Sequence, residues 1–163
     1  MNTLIAPHGA AELKPLFVAD ANERSRLMKE AEALPSIVVS SAAAGNAVML
    51  AGGYFTPLTG FMTKADALSV ARNMTTASGL FWPTPVLNLV NTTSVGPGDR
   101  IALRDPNVEG APVLAIQDVE AIEAFSPQEL EELTSAVYGT PDPKHPGVAA
   151  LSGQGKVLLS GPI

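Results

Sequence analysis

Two histidines, sixteen carboxylates and no cysteine make up the acid–base and metal-ligating side chains of this 163-residue chain. Without cysteine there are no disulfides, thiolate metal sites or sulfur nucleophiles. His8 and His145 stand at opposite ends and form neither a His-x-x-His nor a His-Glu-x-x-His pair, so no metal site is expected. A Ser-His-Asp set drawn from His145, Asp142 and a serine lacks the Gly-x-Ser-x-Gly elbow that would expose a nucleophile. The Gly-rich run Ser152-Gly-Gln-Gly-Lys156 invites comparison with a phosphate loop. It has Ala150 and Val157 where a Walker A loop needs Gly and Ser or Thr, and Leu158 where a dinucleotide fingerprint needs its third Gly. A tight turn into a last strand is the better reading. Glu131 and Glu132 fall on the exposed face of a predicted helix. By residue chemistry alone the expected catalytic, cofactor-binding and metal-ligating sets are all empty.

The elements that would position these residues are legible from their punctuation. Asp20-Ala-Asn-Glu23 opens a predicted helix with Leu27, Met28, Ala31 and Leu34 at helical spacing, stopped by Pro35. Thr63-Lys-Ala-Asp66 opens a second through Ala67, Leu68 and Ala71. Ser126-Pro-Gln-Glu129 is a capping box with Pro at the first helical position, and Gly139 is placed to end that helix. Strands are expected at Ser36–Val39, Pro85–Val90, Arg100–Leu103, Val113–Ile122 and Val157–Leu159, with Ser41–Ala51 ambiguous because Gly45 interrupts an Ala-rich run. Gly96–Gly98, Pro106-Asn107 and Pro141–Pro143 are turn chemistry. Helices in the first half and strands from about Thr84 give an α+β fold, a small, partly closed β-barrel with attached helices.

Composition narrows the partners. The hydrophobic fraction is 46% and the charged fraction only 16%, well under the roughly 25% of ordinary domains, so the chain is folded and has faces suited to a neighbour. Net charge is −6 and unevenly spread: eight basic and seven acidic residues up to Arg104, then two basic and nine acidic. A nucleic-acid partner is not expected, because phosphate binding needs clustered cations. Met1–Lys14 lacks a charged region followed by an apolar core, so no secretory signal is expected. The most apolar run, Ala42–Gly53, is too short for a membrane span of about 20 residues, and a cytoplasmic location is the expectation.

Two stretches remain. Gly53-Tyr-Phe-Thr-Pro-Leu-Thr-Gly-Phe-Met62 gathers three aromatics in a loop that Phe55, Leu58, Phe61 and Met62 would pin to the core. Gly139–Val148 fixes Thr140, Asp142 and His145 between prolines, with the imidazole expected to bond nearby backbone. Together with Trp82-Pro-Thr-Pro-Val86, Leu87 and Gly98-Asp99 leading Ile101–Leu103, these runs resemble the amino-terminal domain of the ATP sulfurylase (sulfate adenylyltransferase) family. The resemblance spans nearly the whole chain, residues 1–163, departing at Tyr54 and Ser160–Ile163. It implies a PUA-like barrel and an enzyme that interconverts ATP plus sulfate with adenosine 5′-phosphosulfate plus pyrophosphate. In the family the catalytic groups lie in a following nucleotidyltransferase domain with Gln-x-Arg-Asn, His-x-x-His-type and Gly-Arg-Asp motifs. None occurs here; Gln117, Gln128 and Gln154 are not followed by x-Arg-Asn. The resemblance therefore implies that this chain alone is inactive and that its partner is the catalytic domain. ATP with Mg²⁺ would bind there, and the full-length enzyme could be a homo-oligomer. The alternatives are a free-standing PUA-like module binding a protein or small ligand, and an independent enzyme. PUA relatives often bind RNA, which the acidic carboxy-terminal portion opposes.

Overall fold

A computed structural model describes residues 5–91 and 94–163; the first four residues of the stretch read for a secretory signal lie outside it. Among the described residues five helices and seven strands follow one another as α1 (Ala21–Ala33), β1 (Ser36–Val38), α2 (Ser41–Ala51), β2 (Gly60–Phe61), α3 (Lys64–Asn73), β3 (Leu89–Val90), β4 (Arg100–Arg104), β5 (Val113–Asp118), β6 (Ala121–Ala124), α4 (Pro127–Tyr138), α5 (Pro146–Ser152) and β7 (Val157–Pro162). The fold is α+β, as the sequence predicts.

The three expected helices begin at the expected caps. Asp20, Thr63 and Ser126 each accept a hydrogen bond from the amide three residues on, and Glu129 completes the box at Ser126. Ser41–Ala51 resolves as a helix, capped by Ser40, because Ala43, Ala44 and Ala47 present small side chains that let the backbone settle against the sheet. Gly45 is tolerated there because it lies on the exposed side with open space around it.

Two sheets form, β1-β4-β5 and β2-β7-β3, with β6 also pairing β7. The expected single strand Val113–Ile122 is instead two. Val119 bonds back to Asp99, whereas Glu120 N donates to Ser160 O at 2.9 Å, so the chain leaves one sheet and joins the other at this point. Of the expected strand Pro85–Val90 only Leu89 and Val90 pair with β7, because Val86 is engaged with Met62 through its amide and carbonyl. The last strand runs beyond Leu159 to Pro162, and its extension holds β2: Gly60 pairs with Pro162 and Phe61 with Gly161.

Strand β7 divides the interior. Its successive residues Leu158 and Leu159, both fully buried, face two different clusters, as strand alternation requires. Leu159 joins Ala43, Leu50, Phe61, Trp82, Ile101 and Leu103 beneath α2. Leu158 joins Ala67, Leu87, Phe125, Leu133 and Leu151 beneath α3, α4 and α5. A buried amide pair crosses the interior: Asn88 Nδ2 donates to Gln117 Oε1 at 2.9 Å, and Gln117 Nε2 donates to Leu159 O at 3.1 Å.

Candidate functional site

The Gly53–Met62 stretch is held from inside. Thr56, buried, donates from Oγ1 to Gly53 O at 2.7 Å and accepts from Lys14 N at 3.0 Å. Phe55 meets Trp82 edge to face with ring centroids 5.7 Å apart, and Phe61 and Met62 are buried. Gly60 must be glycine, because a Cβ there would run into the Gly161 carbonyl of β7. Of the three aromatics in this stretch Tyr54 alone stays in solvent, 75% exposed. The expected pinning by Phe55, Leu58, Phe61 and Met62 is what the structure has.

The Gly139–Val148 stretch commits its polar atoms to its own turns. Thr140 Oγ1 accepts from Asp142 N at 3.1 Å, and Asp142 Oδ1 accepts from Lys144 N at 2.9 Å. The Asp142 carbonyl, not its carboxylate, takes up the His145 amide at 2.9 Å. The imidazole departs from expectation: its Nδ1 is buried with no hydrogen-bond partner, and the ring packs on Tyr138 at 5.3 Å between centroids. His145 occupies the cap position of α5 without capping it, since its side chain is turned to the tyrosine. That helix, Pro146–Ser152, is itself unexpected; Pro146 at its first position disguised a helix start as a turn.

Beside this loop lies a shallow groove of about 610 Å³ between α4 and α5, lined by Leu130, Glu131, Thr134, Thr140, Asp142 and Ser152 among others. Its charged lining residues, Glu131 and Asp142, are both acidic. A triphosphate needs cations and amide donors, and this lining opposes it. Glu132, adjacent in sequence, takes both nitrogens of an Arg72 fork and ties α4 to α3. His8 is elsewhere, its Nε2 2.7 Å from Phe81 O. The Ser152–Lys156 run turns into β7 as expected, with Gly155 at φ +114° pressed against the Val90 backbone. Among the described residues no three His, Asp or Glu side chains are arranged to hold a metal ion.

A second groove, about 550 Å³, lies under α1 and was not legible in the sequence. Leu16, Phe17, Leu27, Met28 and Ile163 line one part of it, and residues 113–116 of β5 another. Phe17 is 60% and Met28 45% exposed, so this wall is apolar yet uncovered. Arg100 bridges the rim, paired with Glu30 of α1 and with Asp118 of β5 at 2.7 Å. The only sequence cue was the apolar run Leu16–Val18 just before the Asp20 cap. No helix among the described residues is long and apolar enough to cross a membrane.

The comparisons agree with this architecture. The chain is 58% identical over its whole length to the sulfate adenylyltransferase of Alcanivorax borkumensis, covering 41% of that protein. It is 55% identical over 98% of its length to that of Allochromatium vinosum, again 41% of the relative, and 48% identical to that of the Riftia pachyptila sulfur-oxidizing endosymbiont, 36% of the relative. The chain thus spans about two fifths of the length of the curated relatives it matches. A solved structure described as a hexameric APS kinase from Thiobacillus denitrificans superimposes with a TM-score of 0.62 at 32% identity, over 76% of this chain and 24% of that one. The model of the PUA-like domain matches residues 5–163, and with two small sheets divided by β7 and flanked by helices, the chain belongs to the PUA-like domain family.

Proposed function

We propose that this chain is the amino-terminal, non-catalytic domain, residues 1–163, of a sulfate adenylyltransferase, the enzyme that interconverts ATP plus sulfate with adenosine 5′-phosphosulfate plus pyrophosphate. The observation that carries the reading is similarity from end to end, at 58% identity, to a protein of that name more than twice as long. The chemistry of the chain is consistent with it. Adenylyl transfer develops negative charge around an α-phosphate and needs fixed cations there. Here Arg72 is forked onto Glu132, Lys64 is bonded to Glu129, and Arg100 is held by Glu30 and Asp118, so these cations serve the fold.

The ATP–Mg²⁺ substrate and sulfate would bind in the catalytic portion, outside this chain, and that portion is its first partner. The chain contributes a rigid body whose sheets and helices are closed by β7. The likeness to a hexameric APS kinase supports an oligomeric longer enzyme. The absence of a crossing helix among the described residues fits a cytoplasmic setting. The test is to read the gene past the Ile163 codon. An open frame carrying Gln-x-Arg-Asn supports the reading, and an immediate stop codon overturns it.

A further inference from the structure

Strand β5 is an edge of its sheet. Its bonds to β4 pass through alternate residues, as in any antiparallel pair. Val119 N donates to Asp99 O at 2.8 Å, and the register pairs Ile101 with Gln117, so these residues face β4. Ala102 has the opposite parity and sends its amide the other way, to Pro35 O at 2.8 Å. Ile116, opposite Ala102, therefore turns its amide outward, and among the described residues no acceptor meets it; at Asp118 the outer side is already met by Gly161 of β7, so the open stretch of the edge ends at Ile116. An unpaired edge is a template for another strand.

This edge is one wall of the 550 Å³ groove under α1. The space is that of a small-ligand pocket, about 300–1,000 Å³, and so suits one short segment and not a second sheet. Its opposite wall offers Phe17 and Met28 to apolar side chains. Arg24 also lines it and has no ion-pair partner among the described residues, whereas Arg100 is already paired with two carboxylates. We propose that the groove seats an extended, apolar segment bearing one carboxylate, which adds a strand to the outer edge of β5 and meets Arg24. Its source is the remainder of the longer polypeptide; this rests on the reading given under Proposed function. More than half of the length of the curated relatives lies outside the matched region, and Ile163 lines the groove, so a tethered segment reaches it at high effective concentration.

Residue-resolved amide exchange, on the 163-residue chain and on the longer protein from the same gene, tests this. In the chain alone Ile116 exchanges fast while Gln117 is slow. In the longer protein Ile116 slows by about 100-fold or more, and Gln117 is unchanged. In that protein Met28→Asp returns Ile116 to fast exchange, and Met74→Asp, at an exposed site that does not line the groove, leaves it slow; a slow Gln117 shows that both variants fold. Slow Ile116 in the chain alone, or fast Ile116 in the longer protein, overturns the proposal. Pyrophosphate release from ATP and sulfate is measured on the same longer sample. An active enzyme with fast Ile116 overturns the groove proposal alone, and an inactive one with slowed Ile116 overturns the functional reading alone.

Discussion

Lys64 Nζ lies 2.7 Å from the Glu129 carboxylate, joining the first residue of α3 to the capping box of α4. The same ammonium donates to Ala124 O at 2.9 Å and sits over the Phe125 ring, while the Lys64 amide is capped by Glu123 at 2.8 Å. Hydrogen bonds from Lys64 and from the Ser126 amide hold the Glu129 carboxyl at about 2, below its ordinary 4.5. A carboxylate depressed by folding stabilises above its unfolded value and loses that contribution as pH falls toward the folded one. The contribution is therefore complete above about pH 4.5 and lost between there and pH 2. Lys64→Met is expected to raise the Glu129 titration midpoint, read by NMR, and to raise the pH at which the chain unfolds in acid. An unchanged midpoint contradicts the coupling.

Ser126→Ala removes the oxygen that receives the Glu129 amide and is expected to cost about 1 kcal/mol, read by chemical denaturation. Glutamine at 129 keeps the box's shape and should cost less at pH 3 than at pH 7. Equal losses at both pH values would contradict the titration given above.

Gly60→Ala places a methyl on the Gly161 carbonyl, and β2 cannot retreat without leaving β7. Overpacking against backbone is expected to cost about 3 kcal/mol or to prevent folding. Gly45→Ala, in open space on α2, is expected to stabilise by about 0.5–1 kcal/mol and serves as its control.

Within the interior, Gln117→Leu leaves the Asn88 amide without its acceptor and is expected to cost about 1–3 kcal/mol. The Asn88 Oδ1 already lacks a partner, so replacing both residues by leucine should cost less than either single change. A double variant less stable than both singles would show that the pair is needed for more than mutual satisfaction.

Caps and turns were legible because they are local: Asp20, Thr63 and Ser126 carry the start of a helix in four residues. The break at Val119–Glu120 was not, because it depends on Ser160 accepting from Glu120, a pairing across 40 residues. Helix α5 was hidden by its one proline, Pro146, which reads as a turn maker until Tyr138 supplies a surface for His145 and Gly147. Of the two singled-out stretches, Gly53–Met62 is pinned to the core as the sequence predicts, whereas the loop reading of Gly139–Val148 missed the start of α5 and the partnerless His145 Nδ1. The groove under α1 had no local mark beyond the apolar run Leu16–Val18, since it arises where a capped helix, an open strand edge and that run meet in space.

The most direct test is pyrophosphate release from ATP, sulfate and Mg²⁺, measured in parallel on the purified 163-residue chain and on the longer protein from the same gene. The expected result is turnover by the longer protein and none above background by this chain. Turnover by this chain that survives rigorous purification, or none by the longer protein, contradicts the assignment of a non-catalytic domain of a sulfate adenylyltransferase.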